Sequence, residues 1–233
     1  MMKSKWLVGA LTGLLLAGVS VAANAVLLKS YDFDGDLTDT LGNGLDLIAS
    51  GGSIAGGRYS FIANQGLRLD SALPSTTEYA IEFKIHMDNP TGLSKLIDFQ
   101  NLAADEGLYD SDGAALEFFQ LALPVGTPTR GFDFTVGLER SAGNIEVFFD
   151  GASLFGAADP GGQAVPGANI LNFFEDDNVN GQGESFAGSV DFIRIHDDSS
   201  TFGTEPPVVA EPTTILLLGL GLAGLGFARR RLH

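Results

Sequence analysis

The 233-residue chain is predicted to fold as an all-β, antiparallel sandwich carrying an apolar segment at each end. Three observations predict that class. Apolar residues recur with period two through the middle of the chain, glycine- and asparagine-rich breaks separate the runs, and no sustained helical periodicity occurs between Val26 and Thr204.

At the front, Lys3 and Lys5 form a basic start and residues 6–20 an apolar run. Ala23-Asn24-Ala25 then supplies the small-x-small pattern after which a signal peptidase cuts. Leu7, Val8, Leu11, Leu14, Leu15, Leu16 and Val19 leave no polar face, against an amphipathic core helix. Residues 1–25 therefore read as an export signal, and residues 26–203 as the exported domain.

Short strands are expected at residues 28–33 and 66–69. The clearest follows: Tyr79, Ile81, Phe83, Ile85 and Met87 alternate with Ala80, Glu82, Lys84, His86 and Asp88. After short strands at 96–99 and 116–121, Phe132, Phe134, Val136 and Leu138 form a second alternating face. Ile145, Val147 and Phe149 form a third, and the turn Ser141-Ala142-Gly143-Asn144 joins these two as a hairpin. Residues 170–174 and 190–196 complete the set. The pairs Phe118-Phe119, Phe148-Phe149 and Phe173-Phe174 are each expected to place one ring in the core and one outside. Residues 204–212 hold three prolines and read as a stiff, extended spacer.

Residues 213–228 are uncharged and apolar, and Arg229, Arg230 and Arg231 follow. As a helix this segment would span about 24 Å at roughly 1.5 Å per residue. A hydrocarbon core is about 30 Å thick, and Gly219, Gly221, Gly224 and Gly226 weaken the helix further. It reads as a short transmembrane helix suited to a temporary anchor, with residues 213–233 ending in an arginine-rich cytoplasmic tail. Gly219, Gly221 and Gly224 also match a dinucleotide-binding pattern, but nine residues cannot supply the rest of that unit. Glu211-Pro212, the apolar run and the arginine block together resemble the PEP-CTERM sorting signal of Gram-negative bacteria. The first proline of its Pro-Glu-Pro motif is Ala210 here. The resemblance implies processing by an exosortase at the inner membrane.

Cysteine is absent, which excludes disulfides, thiolate zinc sites and cysteine nucleophiles. Two of the 13 basic residues lie in the first 25 positions and three at the end, leaving eight against all 29 acidic ones. Residues 26–212 thus carry a net charge of about −21, which repels nucleic acid and anionic headgroups and attracts divalent cations.

The order of segments resembles the laminin-G-like, or concanavalin A-like, jelly roll. Tyr31-Asp32-Phe33-Asp34-Gly35-Asp36 resembles its first strand, and Gly66-Leu67-Arg68-Leu69-Asp70 with Tyr79 to Met87 its paired strands. Residues 144–151, ending in an Asp-Gly turn, and residues 188–197 are similar to its later strands. The resemblance implies a lectin-like sandwich, in which a structural calcium at the rim is common.

Hydrolases of this fold class place Glu-x-Asp-x-Glu on one strand, so that an acid and a nucleophile flank a glycosidic bond. No such triplet is present, nor a Gly-x-Ser-x-Gly elbow, and no histidine has a proton-transfer partner in sequence; His86 and His196 are expected on the surface. Catalysis is not expected. Asp32, Asp34, Asp36 and Asp39 begin like a calcium loop but lack its glycine and closing glutamate. Asp176, Asn178 and Asn180 before Gly181, with Glu184 to close the site, are the better calcium ligands. For a sugar, Tyr59 and Tyr109, in glycine- and aspartate-rich stretches expected to be loops, are the best contacts. Together these readings predict a non-enzymatic, exosortase-sorted protein of the cell surface or extracellular matrix. It would bind or organise extracellular polysaccharide. A glycoside hydrolase or lyase on the same fold is the rival.

Overall fold

Alternation becomes fifteen strands within residues 25–179 and 181–197, the part of the chain that the computed structural model describes. They are β1 (Leu27–Tyr31), β2 (Ile48–Ala49), β3 (Ser53–Ala55), β4 (Arg58–Phe61), β5 (Leu67–Asp70), β6 (Tyr79–Asp88), β7 (Leu93–Asp98) and β8 (Gly107–Ser111). The series continues with β9 (Ala115–Phe119), β10 (Ala122–Gly126), β11 (Phe134–Ser141), β12 (Asn144–Phe149), β13 (Ala152–Ala158), β14 (Ile170–Phe173) and β15 (Ala187–His196). One 3-10 turn, Gly167–Asn169, precedes β14. No helix among the described residues is long and apolar enough to cross a membrane. The expected signal, spacer and transmembrane helix lie outside those residues, apart from Ala25 at the cleavage site.

All pairings are antiparallel, and they build two sheets. The first runs β13-β12-β11-β6-β15-β4-β3, with β1 beside the second half of β15. The second runs β10-β9-β8-β7-β14-β5-β2. The strongest sequence pattern sits at the centre of the first sheet. Tyr79, Ile81, Phe83, Ile85 and Met87 of β6 point into the core, while Glu82, Lys84, His86 and Asp88 point out. The expected hairpin joins β11 to β12, with Ser141 opposite Asn144. Ala142 and Gly143 both take positive φ (49° and 73°), the backbone that a two-residue turn between twisted strands requires.

Aromatic rings fill the space between the sheets. Phe83 lies edge-on to Phe174 at 5.4 Å, and Phe174 stacks on Phe61 at 5.1 Å. Phe173 and Phe174 are both core residues, contrary to the expected split, because Phe174 leaves β14 with φ +61° and turns back inward. Ion pairs close the two ends of the core. Arg140 meets Asp159 at 3.0 Å, and Arg130 meets Asp110 while its guanidinium lies 4.7 Å from the Phe134 ring centre. The acidic opening segment turns away from the sheet after Tyr31. The Asp39 carboxylate accepts the amides of Ser30, Leu41 and Asn43, so it shapes a turn.

Candidate functional site

Two polar constellations stand out, one on the outer face of each sheet. On the second sheet, register brings Lys95 of β7, Tyr109 of β8 and Glu117 of β9 into one row. Lys95 is fully buried, with its ammonium 5.1 Å from the Tyr109 ring centre. It ion-pairs with Asp177 and lies 3.6 Å from Asp98 and 3.7 Å from Asp176. The segment before β8 and the segment after β14 are bonded to each other and to β7 beside this row. Asn178 donates its amide to the Leu102 carbonyl, and the Lys95 amide donates to the Glu184 carbonyl at 2.8 Å.

In that arrangement two of the expected calcium ligands, Asp176 and Asn178, already have hydrogen-bond partners within their own loop. The Asp176 carboxylate accepts the amides of Asp177 and Glu184, both at 2.8 Å, and the Asn178 side-chain oxygen accepts from Gln182. Asn180 lies outside the described residues. No group of three or more histidine, aspartate or glutamate side chains among the described residues is placed to hold a metal ion. The positive charge that these carboxylates face is the Lys95 ammonium, which brings its own three donors. The loop assignment of both tyrosines is corrected. Tyr59 lies in β4, 1 % exposed, and its hydroxyl donates toward the carbonyls of Gly51 and Gln65. Tyr109 lies in β8, fully buried, and donates to Asp105 at 3.0 Å. Neither ring offers a face to a sugar. His196 is buried near the end of β15 rather than on the surface.

Burial pushes several carboxyls on this side of the molecule above their ordinary values. Desolvation leads for Glu117, Asp98, Glu106 and Glu184; Asp159 adds repulsion at Glu106, and Asp105 adds it at Glu184. Each group holds its proton more tightly folded than unfolded, so the folded chain binds more protons just above the usual carboxylate range. The stabilisation is complete below the unfolded-state values and is lost as pH rises through the raised folded ones. Thermal melts should therefore show a midpoint that rises as pH falls from about 7 to about 5; a falling midpoint would contradict the shifts.

The second constellation lies on the outer face of the first sheet, where Ser53, Ser60, Ser189 and His86 stand side by side across β3, β4, β15 and β6. A Cβ at Gly188 would come within 2.2 Å of the His86 carbonyl oxygen, so only glycine lets the two central strands pair this closely. Phe132 closes the row. It was expected to begin the inward face of a strand, but β11 starts at Phe134 and Phe132 is 73 % exposed. Its ring stacks on His86 at 3.8 Å and 17°, and its carbonyl faces His86 Nδ1 at 2.6 Å. Its neighbours pin it. Arg130 is anchored in the end of the core, and Asp133 accepts two bonds from Arg58 at 3.0 and 3.1 Å. Hollows of about 710 and 320 Å³ both have Phe132 and His86 in their lining. The alternation that hid Phe132 was real; the only sequence signal against it was Gly131, which frees the chain to turn.

A PEP-CTERM protein-sorting motif matches residues 208–231. It implies export and handling by an exosortase at the membrane. No curated protein matches the chain. Among solved structures, the chain is similar to domain 4 of AbnA, a GH43 extracellular arabinanase from Geobacillus stearothermophilus solved in complex with arabinotriose. That match has 19 % identity and a TM-score of 0.56 over 76 % of this chain and 95 % of that one. Trypanosoma rangeli sialidase, in complex with 2,3-difluorosialic acid, is similar at 15 % identity and TM-score 0.57, over 76 % of this chain and 31 % of the sialidase. The binding domain of botulinum neurotoxin serotype D matches at 12 % identity and TM-score 0.54, over 74 % of this chain and 48 % of that one. At these identities the likeness establishes the sandwich fold alone.

Proposed function

We propose that this exosortase-sorted protein is a non-enzymatic component of the cell surface or extracellular matrix. Its sandwich, of the laminin-G-like or concanavalin A-like kind, would bind or organise extracellular polysaccharide after release from a transient inner-membrane anchor. The observation that carries the reading is the sorting motif joined to a sandwich whose concentrated carboxylates are sealed. Asp98, Asp176, Asp177 and Glu117 are at most 7 % exposed, and a glycosidic bond cannot reach them. The arabinotriose held by the arabinanase domain supports a saccharide ligand for this shape.

The rival is a glycoside hydrolase or lyase on the same fold. It draws on the raised carboxyl of Glu106, which lines a rim hollow with Gln100, Gln163 and Pro166. A raised carboxyl beside an open hollow is a general-acid candidate. Glycan-array binding and reducing-end release, measured together on the full chain, separate the two. Binding without release is expected; release that Glu106→Gln abolishes would establish the rival. The sorting half is tested separately. Replacing Arg229, Arg230 and Arg231 by glutamine removes the charges that hold the tail on the cytoplasmic side. The variant is expected to lose correct retention or processing, read by fractionation and by the mass of the mature C-terminus. Unaltered size and fractionation would count against sorting by this tail.

A further inference from the structure

Every cation of the sandwich is already engaged. The eight basic residues between positions 26 and 212 all lie in the described part. Arg58, Arg68, Lys84, Lys95, Arg130, Arg140 and Arg194 each meet a carboxylate within 4 Å, and Lys29 donates to the carbonyls of Ser71 and Ala72. The hollow beside Phe132 presents hydroxyls from Ser53, Ser60 and Ser189 with the amide of Gln65 and the Asp88 carboxylate. These are partners for hydroxyl groups. No unpaired guanidinium or ammonium lines the hollow to receive a carboxylate or sulfate, and the net charge of about −21 opposes any anion that approaches.

An exposed aromatic ring held rigid in such a setting has a specific use. Phe132 loses little entropy on binding, because Arg130 and Asp133 fix the chain on both sides and His86 backs the ring. Its free face is flat and apolar, as is the C–H face of a pyranose or furanose ring, and the flanking polar groups can satisfy the hydroxyls at the ring edge. Two hollows that both include Phe132 and His86 in their lining give the neighbours of a stacked sugar room, which suits an internal stretch of a chain.

We infer that the groove across Phe132 and His86, on the outer face of the first sheet, is a binding site for an uncharged polysaccharide, with one sugar stacked on the Phe132 ring. The inference rests on the glycan-binding reading above and names its place and its ligand class.

Affinity gel electrophoresis of the full chain in zwitterionic detergent tests it. The gels carry dextran, arabinan or xylan as neutral polymers, and alginate or polygalacturonate as anionic ones. At least one neutral polymer should retard the wild type, with a dissociation constant that hardly changes between low and high salt. Phe132→Ala should weaken that binding about ten-fold or more, while Phe132→Tyr, which keeps the stacking face, retains it. Phe132 is exposed, so both variants should melt with the wild type. Retardation by a neutral polymer that Phe132→Ala leaves intact overturns the groove and spares the glycan-binding reading. Preference for the anionic polymers overturns the ligand class. A wild type retarded by none of the five overturns both.

Discussion

Replacing Lys95 by methionine should cost about 3–5 kcal/mol of stability, because it leaves a buried acidic cluster without its counter-charge. Among the described residues the Lys95 ammonium lies within 4 Å of the carboxylates of Asp98, Asp176 and Asp177, and all four side chains are at most 5 % exposed. Desolvating a charge is expensive, and the cluster persists because its charges face one another. Methionine keeps the length of the stem and its contact with Tyr109, so the loss isolates charge rather than packing. Urea unfolding should show the drop near neutral pH, and it should shrink as acid neutralises the carboxylates. A change under about 1 kcal/mol would mean that the cluster is hydrated and contributes like a surface pair. With Lys95 in place, exchanging millimolar calcium for chelator should leave the wild-type midpoint unmoved.

Truncating Phe83 to alanine should cost a similar amount, about 3–5 kcal/mol, for an unrelated reason. Phe83 is fully buried on the central strand β6 and stands edge-on to both Phe173 and Phe174, at 6.5 and 5.4 Å. Removing the ring opens a cavity between the sheets that neighbours of fixed register cannot fill. For a domain of this size each kcal/mol moves the melting midpoint by roughly 2–4 °C, so a fall of roughly 10 °C is expected. The same change at Phe132 should leave the midpoint where it is. Equal losses at the two positions would refute the placement of one ring inside and the other out.

Residues on strands with one wet face were legible in advance, and those on strands with two dry faces were not. In β6, outward Glu82, Lys84 and His86 alternate with inward Ile81, Phe83 and Ile85, and the expected faces are the observed ones. In β7, Ser94, Lys95 and Asp98 are as buried as Leu96 and Ile97, and in β8 Asp110 is as buried as Leu108. Loops cover the outer face there, so alternation no longer separates core from solvent. The same covering also bears on the expected calcium ligands. Asp176 and Glu184 have calcium-loop spacing, and Lys95, far earlier in sequence, brings its ammonium within 3.7 Å of the Asp176 carboxylate and its backbone amide to the Glu184 carbonyl. A lone lysine in Leu93-Ser94-Lys95-Leu96-Ile97-Asp98 was the one available signal.

The sorting motif and the class of architecture were written locally. Export and sorting signals are contiguous stretches read by length, charge and order, and a two-residue hydrophobic period specifies half-buried strands whatever lies elsewhere. What the domain presents to a ligand was decided only in three dimensions. Burial and exposure of a single side chain depend on which distant segment packs over it. Tyr59 and Tyr109 disappeared beneath the fold, and Phe132 emerged from it, because long-range pairing between strands placed their covers.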